Sequence, residues 1–155
     1  MTDHAASFVK DVTFGFLDSS VAADQLHNPV LISNSDDNTM LRAIRNELAK
    51  SSSFVFSVAF ITSSGLAILK QALHEFAGHG EIITSRYLDF NEPDMFREML
   101  NLDRVKVHIH PDIEDGFHAK GYIFHQAHGV TAIVGSSNLT DSALTINQEW
   151  NLKFS

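Results

Sequence analysis

The chain has 155 residues, 44% hydrophobic and 19% charged, which suits one compact domain and excludes a disordered segment or a coiled coil. It contains no cysteine, which removes disulfides, thiolate metal sites and a cysteine nucleophile. A formal charge of -8, from 11 basic and 19 acidic residues, argues against a protein held on nucleic acid or an anionic membrane by bulk charge.

The acidity is concentrated at the start. Residues 1–40 hold one base, Lys10, and six acids, Asp3, Asp11, Asp18, Asp24, Asp36 and Asp37. Residues 1–27 are therefore set apart as an acidic arm, expected to be helical, and 28–155 as the folded domain. Such a run ordinarily marks a solvated face, with a partner-docking arm as the rival reading. The opening Met1-Thr2-Asp3-His4 lacks the order of a signal peptide, so a cytoplasmic protein is expected. No apolar run approaches the roughly 20 residues of a membrane span, and no membrane partner is expected.

Past the arm, strand-like and helix-like periods alternate. Pro29-Val30-Leu31-Ile32 is a short apolar entry, followed by the turn-forming run from Ser33 to Asn38. A helix capped by Asp37 or Asn38 then carries Met40, Leu41, Ile44 and Leu48 on one stripe. Residues 54–60 are rich in β-branched and aromatic side chains and predict a buried strand. Ser63 or Ser64 caps the next helix, whose core stripe is Leu66, Leu69, Leu73 and Phe76 and which Gly78-His79-Gly80 ends.

Residues 81–85 predict a strand, and Pro93 opens a helix carrying Met95, Phe96, Met99 and Leu100. Residues 105–110 alternate with period two. Strands at 117–125 and 130–134, a short helix after Ser137 and a last strand near Trp150 complete the series. Phe56, Phe60, Phe124 and Trp150 read as packing residues. The pattern implies a single-domain α/β fold, a mixed sheet with helices on both faces and antiparallel pairing near its C-terminal end. Because the chain stops inside the last strand-like segment, it is expected to be a piece of a longer protein.

The informative segments are Phe117-His118-Ala119-Lys120, Gly135-Ser136-Ser137-Asn138 and Asn147-Gln148-Glu149-Trp150. On a strand His118 and Lys120 share a face. Ser136 and Asn138 fall on a strand-to-helix loop whose backbone N–H groups are expected to favour an anion. Glu149 arrives on the next element, placed to orient the imidazole, with Ser137 and Asn147 in support. An imidazole, a fixed cation, neutral donors and a carboxylate suit phosphodiester chemistry without a cofactor. His118 serves as nucleophile, and Lys120, Ser136 and Asn138 are donors to the phosphate oxygens.

In this order the segments resemble the phospholipase D superfamily signature, in which His-x-Lys (the HKD motif) precedes Gly-Ser-x-Asn and a downstream acid. His118, Lys120, Ser136, Asn138 and Glu149 fall on the matching positions. The wider text is similar to the phospholipase D-like nuclease domain at the N-terminus of some bacterial superfamily II helicases, and to restriction-type relatives. Ser57 to Ile61, Ser64-Gly65-Leu66, Arg86-Tyr87-Leu88 and Glu149-Trp150-Asn151 carry that similarity. The fuller pattern has an Asp five positions after the Lys, where this chain has His125.

The resemblance implies a phospholipase D-like αβα sandwich and a two-step hydrolysis of DNA. One His attacks phosphorus to give a phosphohistidine, and a second protonates the leaving oxygen. The family site uses two His-x-Lys motifs and this chain has one, so a homodimer sharing His118 across a twofold axis is expected. Helicase domains in the full-length chain would be partners, and the isolated domain would bind DNA weakly.

Rival readings are specific. His108 and His110 with His125 and His128 suggest zinc, but no third ligand sits at a telling spacing, and no metal is expected. Asp112, Glu114 and Asp115 read as a polar loop before a cation site. Arg86-Tyr87 could touch substrate or form a strand-end ion pair. The alternative functions are a catalytically silent nucleic-acid-binding or dimerisation module and a phosphodiesterase for lipid or another small diester.

Overall fold

The computed structural model describes residues 29–85, 93–111, 116–127 and 129–155. The arm at 1–27, Arg86-Tyr87, the acidic run and His128 lie outside the described residues. Among the described residues seven strands form one sheet: β1 (Val30–Ile32), β2 (Ser51–Val58), β3 (His79–Ser85), β4 (Val105–His110), β5 (Lys120–Gln126), β6 (Gly129–Gly135) and β7 (Asn151–Phe154). The helices are α1 (Met40–Leu48), α2 (Ser63–Glu75), α3 (Pro93–Leu100) and α4 (Asp141–Thr145). Among the described residues no helix is long and apolar enough to cross a membrane.

Strand order is β1-β7-β6-β5-β2-β3-β4. Strands β2, β3 and β4 are parallel, while β5, β6, β7 and β1 pair antiparallel in turn from β2. This is the mixed sheet that the alternating periods imply. The crossovers from β1 to β2, β2 to β3 and β3 to β4 all advance in one direction across the sheet. Right-handed connections that never reverse direction lay their helices on one face. The described helices obey this, for Met40, Ile44, Leu66, Leu69, Met95, Met99 and Leu144 share one core with Phe54, Phe56, Tyr122, Phe124 and Ile133. On the opposite face of the sheet Ile123, Val130, Val134 and Phe154 are exposed.

Aromatic rings build the centre of that core. Phe56 lies 4.4 Å from Phe54, 5.1 Å from Tyr122 and 5.6 Å from Phe124 between centroids. Phe60 departs from the expected core role, being only half-buried.

The helix starts also shift. Thr39, not Asp37 or Asn38, caps α1, its hydroxyl accepting from Arg42 N at 3.2 Å. Thr62, not Ser63 or Ser64, caps α2 by accepting from Gly65 N at 3.0 Å. In both cases the threonine already lies on the extended backbone that a cap needs, with the run of competing polar residues beside it.

One acid enters the core. Glu47 on α1 is 3% exposed and accepts from Gln126 Nε2 at 2.7 Å and Lys153 Nζ at 3.2 Å, with Lys50 Nζ at 3.5 Å. Burial pushes its carboxyl up, but the Gln126 hydrogen bond and the charges of Lys153 and Lys50 outweigh burial and hold it below the ordinary carboxylate range.

Candidate active site

The His-x-Lys segment enters the sheet at the end where β2, β3, β4 and β6 finish and β5 and β7 begin. Lys120 is the first residue of β5 and pairs with Val58. Residues 117–119 precede the strand rather than belonging to it, yet Ala59 N still donates to Ala119 O at 2.9 Å. His118 is exposed and Lys120 half-buried.

The two side chains meet. Lys120 Nζ stands 3.1 Å from His118 Nδ1, 3.1 Å from Nε2 and 3.2 Å from the His118 carbonyl oxygen. Phe60 completes the cluster, its ring 5.8 Å from the imidazole and edge-on to it, with the ammonium 5.9 Å from the ring centre. Burial draws the Lys120 amine below the ordinary lysine range, and the carboxylate of Glu149 opposes that only in part.

The Gly-Ser-x-Asn loop leaves β6 and is tied on every side. Asn138 Oδ1 accepts from Phe60 N at 3.2 Å, which orients the amide and leaves its two N–H donors for other use. The Ser136 hydroxyl donates to Glu149 and accepts from Trp150 N at 3.0 Å, so it serves the protein rather than an added anion. Ser137 is buried; its hydroxyl donates to Ala143 O at 3.1 Å and accepts from Asn151 Nδ2 at 2.8 Å.

Three of the loop's backbone N–H groups are engaged within the protein rather than left to an anion. Ser136 N donates to Trp150 O, Ser137 N to Asn151 Oδ1 and Leu139 N to Phe60 O, each at 3.1 Å. Helix α4 has only five residues, and its Thr140 cap already receives Ala143 N at 3.3 Å. The side-chain donors at this edge include the Lys120 ammonium and the Asn138 amide. Glu149 reaches the same edge, but its hydrogen bonds are with Ser136 and, at 3.5 Å, Asn147 Nδ2, rather than with the imidazole.

Several supports escape a sequence reading. Asn151 is 1% exposed and holds the Ser137 amide and hydroxyl together. A Cβ on Gly135 would stand 2.2 Å from Trp150 O, so only glycine lets β6 approach β7 here. Tyr122 donates to Ser137 O at 3.0 Å, and burial followed by the Glu149 charge pushes its phenol far up, keeping it a neutral donor. Asn34, at a φ of 57°, donates to Ala143 O and Asn147 O at 2.8 Å each and so anchors the turn before Glu149. Its signal was the tolerance of asparagine for left-handed backbone.

Two of the histidines weighed for zinc have partners elsewhere. His108 Nε2 lies 3.2 Å from Glu81 Oε2, and His110 stacks on Phe117 at 5.3 Å. Among the described residues no group of three His, Asp or Glu side chains is placed to hold a metal ion.

A family model described as "Cardiolipin synthase, PLD-like domain" matches residues 40–155. No curated protein matches the chain. Among solved structures, NucT from Helicobacter pylori is similar, with 16% identity and a TM-score of 0.62 over 81% of this chain and 84% of that one. The phospholipase D family member Nuc from Salmonella typhimurium has 17% identity and a TM-score of 0.56 over 81% of this chain and 82% of that one. Yeast tyrosyl-DNA phosphodiesterase is similar at 13% identity and a TM-score of 0.56, over 81% of this chain but 31% of that longer one. These likenesses show the fold, and the family match covers most of the chain. The chain belongs to the phospholipase D superfamily, through its PLD-like domain.

Proposed function

We propose that this domain is a metal-independent phosphodiesterase that cuts DNA. The observation that carries the reading is the contact between His118 and Lys120 at the sheet end where Asn138 presents its amide. A lone pair on the His118 imidazole attacks phosphorus, the bond from phosphorus to the leaving oxygen breaks, and that oxygen takes a proton from a second imidazole. Water then attacks the phosphohistidine, releasing the phosphomonoester and restoring His118. Lys120 and Asn138 stabilise charge on the non-bridging oxygens. Ser136 acts through Glu149, positioning the loop rather than touching phosphate.

Plasmid and single-stranded DNA incubated in EDTA test this. Cleavage that persists in the chelator is expected; intact DNA of both kinds, or cleavage that the chelator stops, would overturn it.

The second imidazole is His118 of another copy, since the chain has one His-x-Lys and its His118 is exposed. Static light scattering is expected to give twice the monomer mass at working concentration, and an active monomer would remove this part of the reading. In the full-length protein the domain works with helicase or restriction machinery. Alone, with its charge of -8, it binds DNA weakly and with a shallow salt dependence.

A further inference from the structure

The chain has one tryptophan, Trp150, and it is 76% exposed. An indole beside a strand normally supplies a large buried area, so its exposure here runs against the hydrophobic term. The backbone that carries it is nevertheless fixed. Trp150 N donates to Ser136 Oγ at 3.0 Å, and its carbonyl oxygen accepts from Ser136 N at 3.1 Å. Both chain neighbours are held as well, Glu149 by Ser136 and Asn151 by Ser137.

Its place on the sheet end is also defined. Trp150 precedes β7, which is two strands from β5 and its Lys120. At ordinary strand spacing the backbones of the two strands stand about 10 Å apart at this sheet end, within the span of a neighbouring nucleotide. Flat groups continue beyond His118 on the other side, where Phe117 stacks on the exposed His110 at the end of β4.

We propose that Trp150 is a base-stacking residue. It takes the face of a nucleobase next to the phosphodiester held at His118 and Lys120, and it gives the site a preference for unpaired over paired strands. The inference rests on the nuclease reading above. Every base has a π face, so such a platform is indifferent to sequence. Bases in a duplex already stack on one another and must be drawn out before the indole can meet them. Stacking also supplies attraction that needs no positive charge, which suits a chain of net charge -8.

The single tryptophan makes the test direct. In His118→Ala protein, which keeps the strand uncut, oligothymidylate should quench indole fluorescence saturably. A duplex of equal length should do so only at much higher concentration. In cleavage assays Trp150→Ala should raise KM for the single strand roughly 5- to 150-fold, with a smaller effect on kcat, and Trp150→Phe should recover most of the loss.

The proposal is overturned if labelled oligonucleotide binds by anisotropy while the indole emission stays constant, or if Trp150→Ala keeps the wild-type KM. Emission that shifts with protein concentration alone also overturns it, since a second copy would then cover the ring. Failure of the nuclease reading looks different: wild-type protein neither binds nor cuts any strand, and the stacking role falls with it.

Discussion

Replacing His118 by alanine is expected to abolish phosphodiester cleavage, a loss of about 10⁴-fold or more, since it removes the imidazole proposed to form the covalent intermediate. Stability should change by no more than about 0.5 kcal/mol, because the side chain is exposed and lies outside the core. Activity against DNA and thermal unfolding, measured on the same preparation, separate the two effects. A variant that still cuts would move the nucleophile elsewhere and end the phosphohistidine reading. Lys120→Met should cost about 10²–10³-fold, the ordinary effect of removing one stabilising donor.

The lysine also predicts a pH limb. Its cationic form is the one that stabilises phosphate charge, so activity is present below its pKa and lost as pH rises through it. Burial lowers that pKa, so the alkaline limb should fall below the ordinary lysine range. In Lys120→Met that limb should vanish from the residual rate.

The largest effect on stability is expected at Glu47. Glu47→Ala leaves Gln126 and Lys153 without their buried acceptor, and removing one partner of such a pair costs about 3–5 kcal/mol. Urea denaturation should show this as a lower midpoint with an unchanged slope. Glu47→Gln keeps an acceptor oxygen and should lose less.

The sign of the pH dependence follows from the lowered carboxyl. Its stabilisation is fully present above the unfolded-chain value of about 4.3 and is lost as pH falls through the lower folded value. Glu47→Gln should therefore flatten that acid limb. A wild-type-like acid transition in Glu47→Gln would show that the carboxylate contributes nothing.

Much of this fold is legible in the sequence because its strands and helices keep clean periods. Phe54, Phe56 and Val58 alternate inward on β2, and Met40, Ile44 and Leu48 repeat on one face of α1. The same α1 stripe includes position 47, where the period asks for an apolar residue and the chain supplies an acid. The partners that make Glu47 tolerable, Gln126 and Lys153, lie 79 and 106 residues away, so no local pattern reveals them.

The site reads similarly. The contact of His118 with Lys120 is a two-residue matter within reach of a local reading, although His118 precedes β5 rather than lying on it. The engagement of the Ser136 hydroxyl and the loop amides depends on β7, which sequence proximity does not announce. Trp150 inverts expectation for a related reason. Asn151 takes the inward position because Ser137 needs both its donor and its acceptor, and alternation then turns Trp150 outward.

The pairing of β1 with β7 sets the order in which the chain can become a protein. Val30 meets Lys153, and Ile32 meets Asn151, so among the described residues β1 finds its sheet neighbour in β7, at the far end of the sequence. During synthesis β1 must wait for this pairing until β7 has left the ribosome. Closing that contact carries the loop entropy of most of the sequence. The turn anchored by Asn34 and the buried acid on α1 draw on the same late segment. The edge that carries the candidate site therefore depends on the β1–β7 pairing, and it cannot be complete before β7 is made.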